Sequence, residues 1–99
     1  MYSIRFAEGV EEDLAKIRVY YRNQILAAIK KQLTYTLDSP TRNRKLLPNL
    51  IPTWEAVPPI WELRIGDYRV FYDVSGEKEV VYVRAVRRKP TGKKLEEIL

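Results

Sequence analysis

Three segments with alternating apolar and polar side chains lie between residues 60 and 85. This pattern is the strongest constraint that the sequence places on the fold. They read IWELRI, YRVFYDV and VVYVRA. A period of two is typical of half-buried strands. Gly66-Asp67 and the stretch 75–78 separate the segments with turn-forming residues, which favours hairpins. The sequence therefore predicts an antiparallel meander of three strands.

The lengths of the two turns set the predicted register. A two-residue loop at 66–67 places Arg64 opposite Arg69. A four-residue loop at 75–78 predicts three further facing pairs: Tyr72 with Val81, Val70 with Val83, and Arg69 with Arg84. The arginines at 64, 69 and 84 would then form a row on the face turned away from the helices, with Arg5 at matching parity on the first strand.

The rest of the chain predicts one strand and two helices before the meander. Residues 2–6 alternate as a strand does, and Val10, Leu14 and Ile17 have helical spacing behind an acidic first turn. Residues 19–37 carry a second apolar stripe, which the Asp-Ser-Pro sequence at 38–40 ends. The predicted α+β fold is an antiparallel sheet with a two-helix hairpin packed on one face.

Residues 41–59 and the tail are less regular. Four prolines argue against regular structure in 41–59, although the stretch contains several large apolar residues: Leu46, Leu47, Leu50, Ile51, Trp54 and Val57. Two interpretations stay open: the stretch folds back over the edge of the core, or part of it is an exposed apolar patch for a protein partner. The tail ends with the potential for one helical turn.

Composition excludes several classes of function. The 99 residues, 45% of them hydrophobic, suit a single domain spanning 1–99. Without cysteine or histidine, the chain has no disulfide, no zinc-thiolate site, no cysteine nucleophile and no histidine base. We expect no cofactor, metal or membrane partner, and a cytoplasmic location. The net charge of +5 favours polyanionic partners.

The predicted arginine row has two interpretations. Arginine grips phosphate in a bidentate manner, so the row suits an anion site, and Tyr82 and Phe71 on the same face would offer rings for stacking RNA bases. Further basic residues extend the positive field beyond the last strand: Arg87, Arg88, Lys89, Lys93 and Lys94. The alternative is a solvent face whose charges are balanced by Glu62 and Asp73.

The element order, together with the runs LRIGDYRVFYDV and VVYVRAVRRK, resembles the RelE/ParE superfamily of toxins. The resemblance implies a RelE-like β-α-α-β-β-β fold and a type II toxin-antitoxin module in which a cognate antitoxin wraps the toxin. RelE-like members cut mRNA on the ribosome by attack of a ribose 2′-hydroxyl on the adjacent phosphate. ParE-like members act on DNA gyrase instead, and a degenerate member that only binds its antitoxin is a third possibility.

The resemblance also suggests roles for single residues. Arg69 matches the arginine that stabilises phosphate in RelE-like toxins, and the basic group after the last strand falls on Lys89 or Arg88. The lysines of RelE-like toxins fall on Ile60 and Glu62, and their late tyrosine falls near Leu95. The catalytic candidates are Arg69, Arg64, Lys89 and, as a base or a salt-bridge partner, Glu62. The candidates for RNA binding are Arg84, Arg87, Arg88, Tyr82 and Lys93.

Overall fold

A five-stranded sheet and three helices make up the described part of this computed structural model, residues 1–34 and 42–99. The elements are β1 (Ser3–Phe6), α1 (Val10–Ala15), α2 (Val19–Leu33), β2 (Arg44–Leu47), β3 (Ile60–Ile65), β4 (Tyr68–Ser75), β5 (Val80–Arg88) and α3 (Leu95–Ile98). The strands are ordered β1-β5-β4-β3-β2. The α+β class, the meander β3–β5 and the final helical turn are confirmed.

Two features of the sheet differ from the prediction. β1 is parallel to β5, so the sheet is mixed. The two strands are not joined by a hairpin, and the long intervening chain permits the parallel pairing. β2 pairs with β3 in a region predicted to lack regular structure. The strand ends at Leu47, before the first of the four prolines, so none of them interrupts it.

α1 and α2 pack on one face of the sheet, as predicted. Their buried side chains Val10, Ile25 and Ile29 contact strand residues such as Leu63 and Val83 in the main core cluster. The predicted continuation of the second helix to residue 37, and its stop at 38–40, lie outside the described residues. None of the helices in the described ranges is both long enough and apolar enough to cross a membrane.

Arg22 joins the two helices. Its Nε donates to the carbonyl oxygen of Leu14 and its Nη2 to that of Ile17, both at 2.9 Å. These carbonyls lie at the C-terminal end of α1 and just beyond it, where the helix leaves acceptors without intrahelical partners. Arg22 therefore has a structural role, because its guanidinium binds the α1–α2 junction.

The register between β3 and β4 is confirmed, whereas the predicted register between β4 and β5 is wrong. Arg64 lies opposite Arg69, but Arg69 faces Arg87 rather than Arg84. The hairpin loop spans 76–79, because Ser75 still pairs with Val80. Ser75 Oγ accepts a hydrogen bond from the Lys78 backbone N–H at 3.2 Å, which closes the turn one residue later than predicted.

A β-bulge completes the register change. The pairing shifts between Phe71 and Tyr72, and Arg84 is the β5 residue left without an opposite partner. Because the bulge reverses parity, Ala85 leaves the helix side, where it was predicted, and Val86 takes its place in the main core. The predicted pairs Tyr72 with Val81 and Val70 with Val83 are replaced by Tyr72 with Val83 and Val70 with Val86.

The face of the sheet opposite the helices, here called the outer face, is not open to solvent along its length. Ile60, Phe71 and Ala85 form a second buried cluster there. Seven side chains from the 47–56 stretch and the C-terminal segment pack against it and are here called the outer cover: Leu47, Leu50, Trp54, Ala56, Leu95, Ile98 and Leu99. The interpretation that 41–59 folds back over the core is therefore confirmed for this part.

Tyr72 is the largest fully buried side chain of the described residues. It stacks on Trp61 with ring centroids 6.4 Å apart. Its hydroxyl has no hydrogen-bond partner within residues 1–34 and 42–99. Burial raises the pKa of Tyr72 to about 12, and the nearby Arg44 charge acts in the opposite direction. The phenol therefore stays neutral in the folded state well into the alkaline range.

Stability should fall at alkaline pH because of Tyr72. The unfolded chain releases this proton near pH 10 and the folded chain near pH 12. The contribution is therefore complete below pH 10 and declines by about 2 to 3 kcal/mol as the pH rises to 12. In urea unfolding from pH 8 to 12, Tyr72→Phe should lose less stability than wild type. Tyr20→Phe, at an exposed site, is the control, and equal losses in wild type and Tyr72→Phe would contradict the assignment.

Candidate functional site

Glu62 and Arg69 are neighbours on the outer face, close to the Gly66-Asp67 turn. Arg69 Nε lies 3.8 Å from Glu62 Oε1, and the side chains are only 7% and 5% exposed. Arg69 Nη1 donates to the carbonyl oxygens of Gly66 and Tyr68, at 2.8 and 2.9 Å. These two bonds fix the guanidinium beneath the turn. The structure therefore brings this predicted pair of candidates together.

The environment of Arg69 acts on its charge in two directions. Burial lowers its pKa, and the positive charge of Arg64 lowers it further, whereas Glu62 and Asp67 raise it. Because the ordinary pKa of an arginine lies far above neutrality, Arg69 remains charged despite this lowering. The cluster thus combines one carboxylate and two permanent cations on two neighbouring strands, with Glu62 and Arg64 on β3 and Arg69 on β4.

Arg84 is bound to a carboxylate instead of joining the predicted row. Its Nε donates to Asp73 Oδ2 at 2.6 Å and its Nη2 to Asp73 Oδ1 at 3.2 Å. Asp73 Oδ2 also accepts the Val57 backbone N–H at 3.0 Å. The later turn and the bulge together move Arg84 away from the position opposite Arg69, and Arg84 lies over this carboxylate instead. The predicted row of three arginines is therefore wrong at its third member.

Arg87 is also bound to a carboxylate. Its Nη1 lies 2.7 Å from Asp13 Oδ2, and the same oxygen accepts the Val86 backbone N–H at 3.1 Å. β1 pairs with β5 only as far as Val83, so Asp13 binds the strand edge beyond it. Arg87 and Asp13 thereby hold α1 against the end of the sheet.

Four basic candidates remain more open to solvent. Arg64 is exposed on the outer face. Arg88 lies 3.9 Å from Asp67, with both side chains more than half exposed, and Lys93 forms a similarly exposed pair with Glu97 at 3.6 Å. Such pairs are weak and can exchange partners readily. Lys89 is partly buried, and its backbone N–H donates to the Asp67 carbonyl oxygen, which places it beside the turn.

The predicted stacking rings are not presented to solvent as expected. Phe71 is fully buried against Trp54, with ring centroids 5.5 Å apart, so the prediction that it stacks RNA bases is wrong. Tyr82 is partly buried, and Arg84 Cζ lies 4.8 Å from its ring centroid. With Arg5, Trp54 and Arg84 it lines a cleft of about 280 Å³. Phe71 is buried because the outer cover packs on it. Strand alternation predicts the face on which Phe71 lies, but not that other segments cover that face.

A larger cleft of about 530 Å³ lies on the other side of the Gly66-Asp67 turn, between this turn and the α1–α2 junction. Its polar lining includes Lys16, Arg18, Tyr21, Asp67, Tyr68 and Arg88. Only Arg88 among these was a sequence-based candidate. The signal missed in the sequence is Arg18, a cation at the start of a helix, where a small polar or acidic residue is preferred.

The described residues offer no group of three or more acidic side chains arranged to hold a metal ion, and the sequence supplies no histidine or cysteine. What they offer is positive charge near one hairpin turn, with the carboxylates of Glu62 and Asp67 adjacent to it. Such a set can bind phosphate and stabilise negative charge that develops on it.

Comparison with known proteins identifies a family and a fold. Residues 4–89 match the family model described as ParE toxin of type II toxin-antitoxin system, parDE. The isolated RelE toxin of E. coli superposes with a TM-score of 0.67 at 21% identity, covering 98% of this chain and 94% of RelE. No curated protein matches the chain in sequence.

Two toxin-antitoxin complexes contain similar chains. The match to RelBE2 of Mycobacterium tuberculosis has a TM-score of 0.64 at 20% identity, covering 89% of this chain and 98% of the other. The match to RelE-RelB of Pyrococcus horikoshii has a TM-score of 0.63 at 18% identity, covering 94% and 98%. At these identities the likeness concerns the fold. The fold is that of a RelE/ParE superfamily toxin. Within it, the chain belongs to the ParE toxin family of type II toxin-antitoxin systems.

Asp73 should be one of the most sensitive positions for stability. Asp73→Asn leaves the Arg84 charge without its carboxylate in a site where Asp73 is 3% exposed, and removing one partner of such a pair costs roughly 3 kcal/mol. Asp67→Asn removes a carboxylate from an exposed pair and should cost less than about 0.5 kcal/mol. Urea unfolding at pH 7 measures both. Equal losses in the two variants would contradict the role of Asp73.

Proposed function

We propose that this toxin inhibits translation by cutting mRNA on the ribosome, with the outer-face residues near the Gly66-Asp67 turn at the cleavage site. The observation that carries the proposal is the group of Glu62, Arg64 and Arg69, a carboxylate and two cations on neighbouring strands, with Lys89 beside the same turn. The similarity to RelE structures across nearly the whole chain supports it.

The proposed chemistry is transfer of the phosphate ester within the RNA. Glu62 accepts the proton of a ribose 2′-hydroxyl, whose oxygen then forms a bond to the adjacent phosphorus. The bond from phosphorus to the 5′-oxygen of the next nucleotide breaks, and that oxygen takes a proton from water. Arg64, Arg69 and Lys89 stabilise the negative charge that develops on the phosphate oxygens.

The burial of Glu62 and Arg69 adds a requirement to this proposal. Both side chains are almost fully covered, so the phosphate reaches them only after local movement near the turn. Arg64, exposed on the strand beside Arg69, and Lys89 would meet the RNA first. Two hydrogen bonds keep Arg69 oriented while the site opens, so its charge is already in place when the phosphate arrives.

An antitoxin partner is part of the proposal. The two similar complexes from M. tuberculosis and P. horikoshii are named as toxin-antitoxin and RelE-RelB assemblies. By analogy, we expect the cognate antitoxin of this chain to be acidic and to cover its basic surface. The complex and its target would both be found in the cytoplasm, where ribosomes are.

A second candidate function is inhibition of DNA gyrase without chemistry. The family-model match, whose description names ParE, favours it. Glu62 also stands where RelE-like toxins carry a lysine, and its nearest charged partner is Arg69, as expected of a purely structural pair. Induction would then leave messages intact while purified protein blocks supercoiling by gyrase. A harmless protein would indicate the third possibility, a member that only binds its antitoxin.

The test compares the buried Arg69 with the partly buried Arg84. Induced wild type should arrest translation and create new 5′ ends inside translated codons, which primer extension detects. Arg69→Gln should reduce these ends by about 100-fold or more, because a preorganised positive charge at the phosphate is lost. Arg84→Gln, which removes an arginine bound to Asp73, should keep cleavage in whatever fraction remains folded.

Folding is monitored for both variants by circular dichroism and thermal unfolding, so that cleavage is compared per folded molecule. Intact messages with wild-type protein would reject the nuclease. Full cleavage by folded Arg69→Gln would reject the assigned site.

A further inference from the structure

The cleft between the α1–α2 junction and the Gly66-Asp67 turn has an excess of positive charge. Lys16 and Arg18 lie on one wall and Arg88 on the other. Within the described ranges, no ion pair involves Lys16 or Arg18. Arg88 shares its charge weakly with Asp67 at 3.9 Å. Three cations against one carboxylate leave this cleft positive and available to a negatively charged ligand.

The same cleft presents aromatic rings. Tyr21 and Tyr68 line it, with ring centroids 5.9 Å apart, and Tyr20 meets Tyr21 edge to face at 5.2 Å. Tyr20 is 68% exposed and Tyr21 42%. Exposed rings beside cations are the combination that binds single-stranded nucleic acid, because bases stack on the rings while the cations hold the backbone.

The floor of the cleft is closed. Ile17 and Ile25, which also line it, are buried in the main core. A docking peptide helix would need an apolar groove to receive a stripe of side chains, and this floor does not provide one. The exposed surface consists mainly of charged, amide and phenol groups. The volume of about 530 Å³ suits one nucleotide with its phosphate.

The cleft and the proposed cleavage site lie on the two faces of one hairpin and share its Gly66-Asp67 tip. Arg64 and Arg69 lie on the outer face, whereas Ile65 and Tyr68 pack on the helix side of the same two strands. Arg88 lies opposite Tyr68 and lines the cleft, so it belongs to the helix side. A strand of RNA that passes the Gly66-Asp67 turn would meet both surfaces in succession.

We propose that this cleft binds a nucleotide of single-stranded RNA that flanks the cleavage site, its phosphate held by Lys16, Arg18 and Arg88 and its base stacked on Tyr21. The proposal rests on the action on RNA proposed above, and extends it from the cleaved bond to a neighbouring nucleotide. Arg18 begins α2 at a position where a cation opposes the helix dipole, so its contribution to RNA binding can be separated from its contribution to stability.

Fluorescence anisotropy with a labelled 2′-O-methyl RNA of about ten nucleotides tests the binding, because this RNA has no free 2′-hydroxyl and cannot be cleaved by the proposed chemistry. Arg18→Asp should bind it at least tenfold more weakly than wild type while unfolding at a higher temperature, because aspartate suits a helix start. Tyr21→Ala should bind about tenfold more weakly, and Tyr21→Phe should restore affinity because the ring remains.

The salt dependence gives an independent readout. Lys16→Gln and Arg18→Asp each remove a cation that would bind a phosphate, so each should lower the slope of log affinity against log salt by about 0.7. Lys31→Gln, at the opposite end of α2, makes the same change of charge as Lys16→Gln and should leave the affinity near that of wild type.

Unchanged RNA affinity in Arg18→Asp and Tyr21→Ala would overturn the proposal. The proposal would also be overturned if polyglutamate bound more tightly than RNA, displaced it, and bound wild type and Tyr21→Ala equally well. The cleft would then be a site for an acidic peptide. A different result would reject the nuclease proposal alone: RNA binding would still depend on the cleft residues, but induced wild-type protein would leave messages uncut.

Discussion

The ion pair between the buried Asp73 and the partly buried Arg84 ties together the parts of the structure on which the outer face depends. Asp73 holds Arg84 with two hydrogen bonds and the Val57 backbone N–H with a third. It thereby joins β4, the bulged residue of β5 and the stretch that supplies part of the outer cover. With Arg84 bound here, the positive charge left on the outer face is concentrated near the Gly66-Asp67 turn.

The structure sorts the basic residues into those that serve the fold and those that remain available. Arg22, Arg84 and Arg87 bind carbonyl or carboxylate groups of the chain itself. Arg69, which we propose acts on phosphate, also donates to two backbone carbonyls and lies beside Glu62. Three of the sequence-based candidates that stay more open to solvent lie around one hairpin tip: Arg64 on its outer face, Arg88 on its helix side and the partly buried Lys89 beside it. The proposed RNA path therefore depends on where these cations lie on the surface, and not on the net charge of +5 alone.

Sequence pattern predicted the parts of the fold governed by periodicity. The opposition of Arg64 and Arg69 followed from a two-residue turn, and the helix-side core followed from parity. The bulge at Arg84 carries no such pattern, because one extra residue reverses parity without changing composition. The burial of Phe71 depends on a tertiary contact with Trp54, which periodicity does not encode. The same holds for the cleft at Lys16 and Arg18, which distant segments build together.

The division of the arginines into bound and available groups is the central claim, and side-chain NMR tests it most directly. Hydrogen exchange at each arginine Nε should be slow for Arg84, whose Nε–H donates to the buried Asp73 carboxylate, and fast for exposed Arg64 and Arg88. Asp73→Asn should bring Arg84 toward the fast group. Exchange at Arg84 as fast as at Arg64 in the wild-type protein would contradict the account.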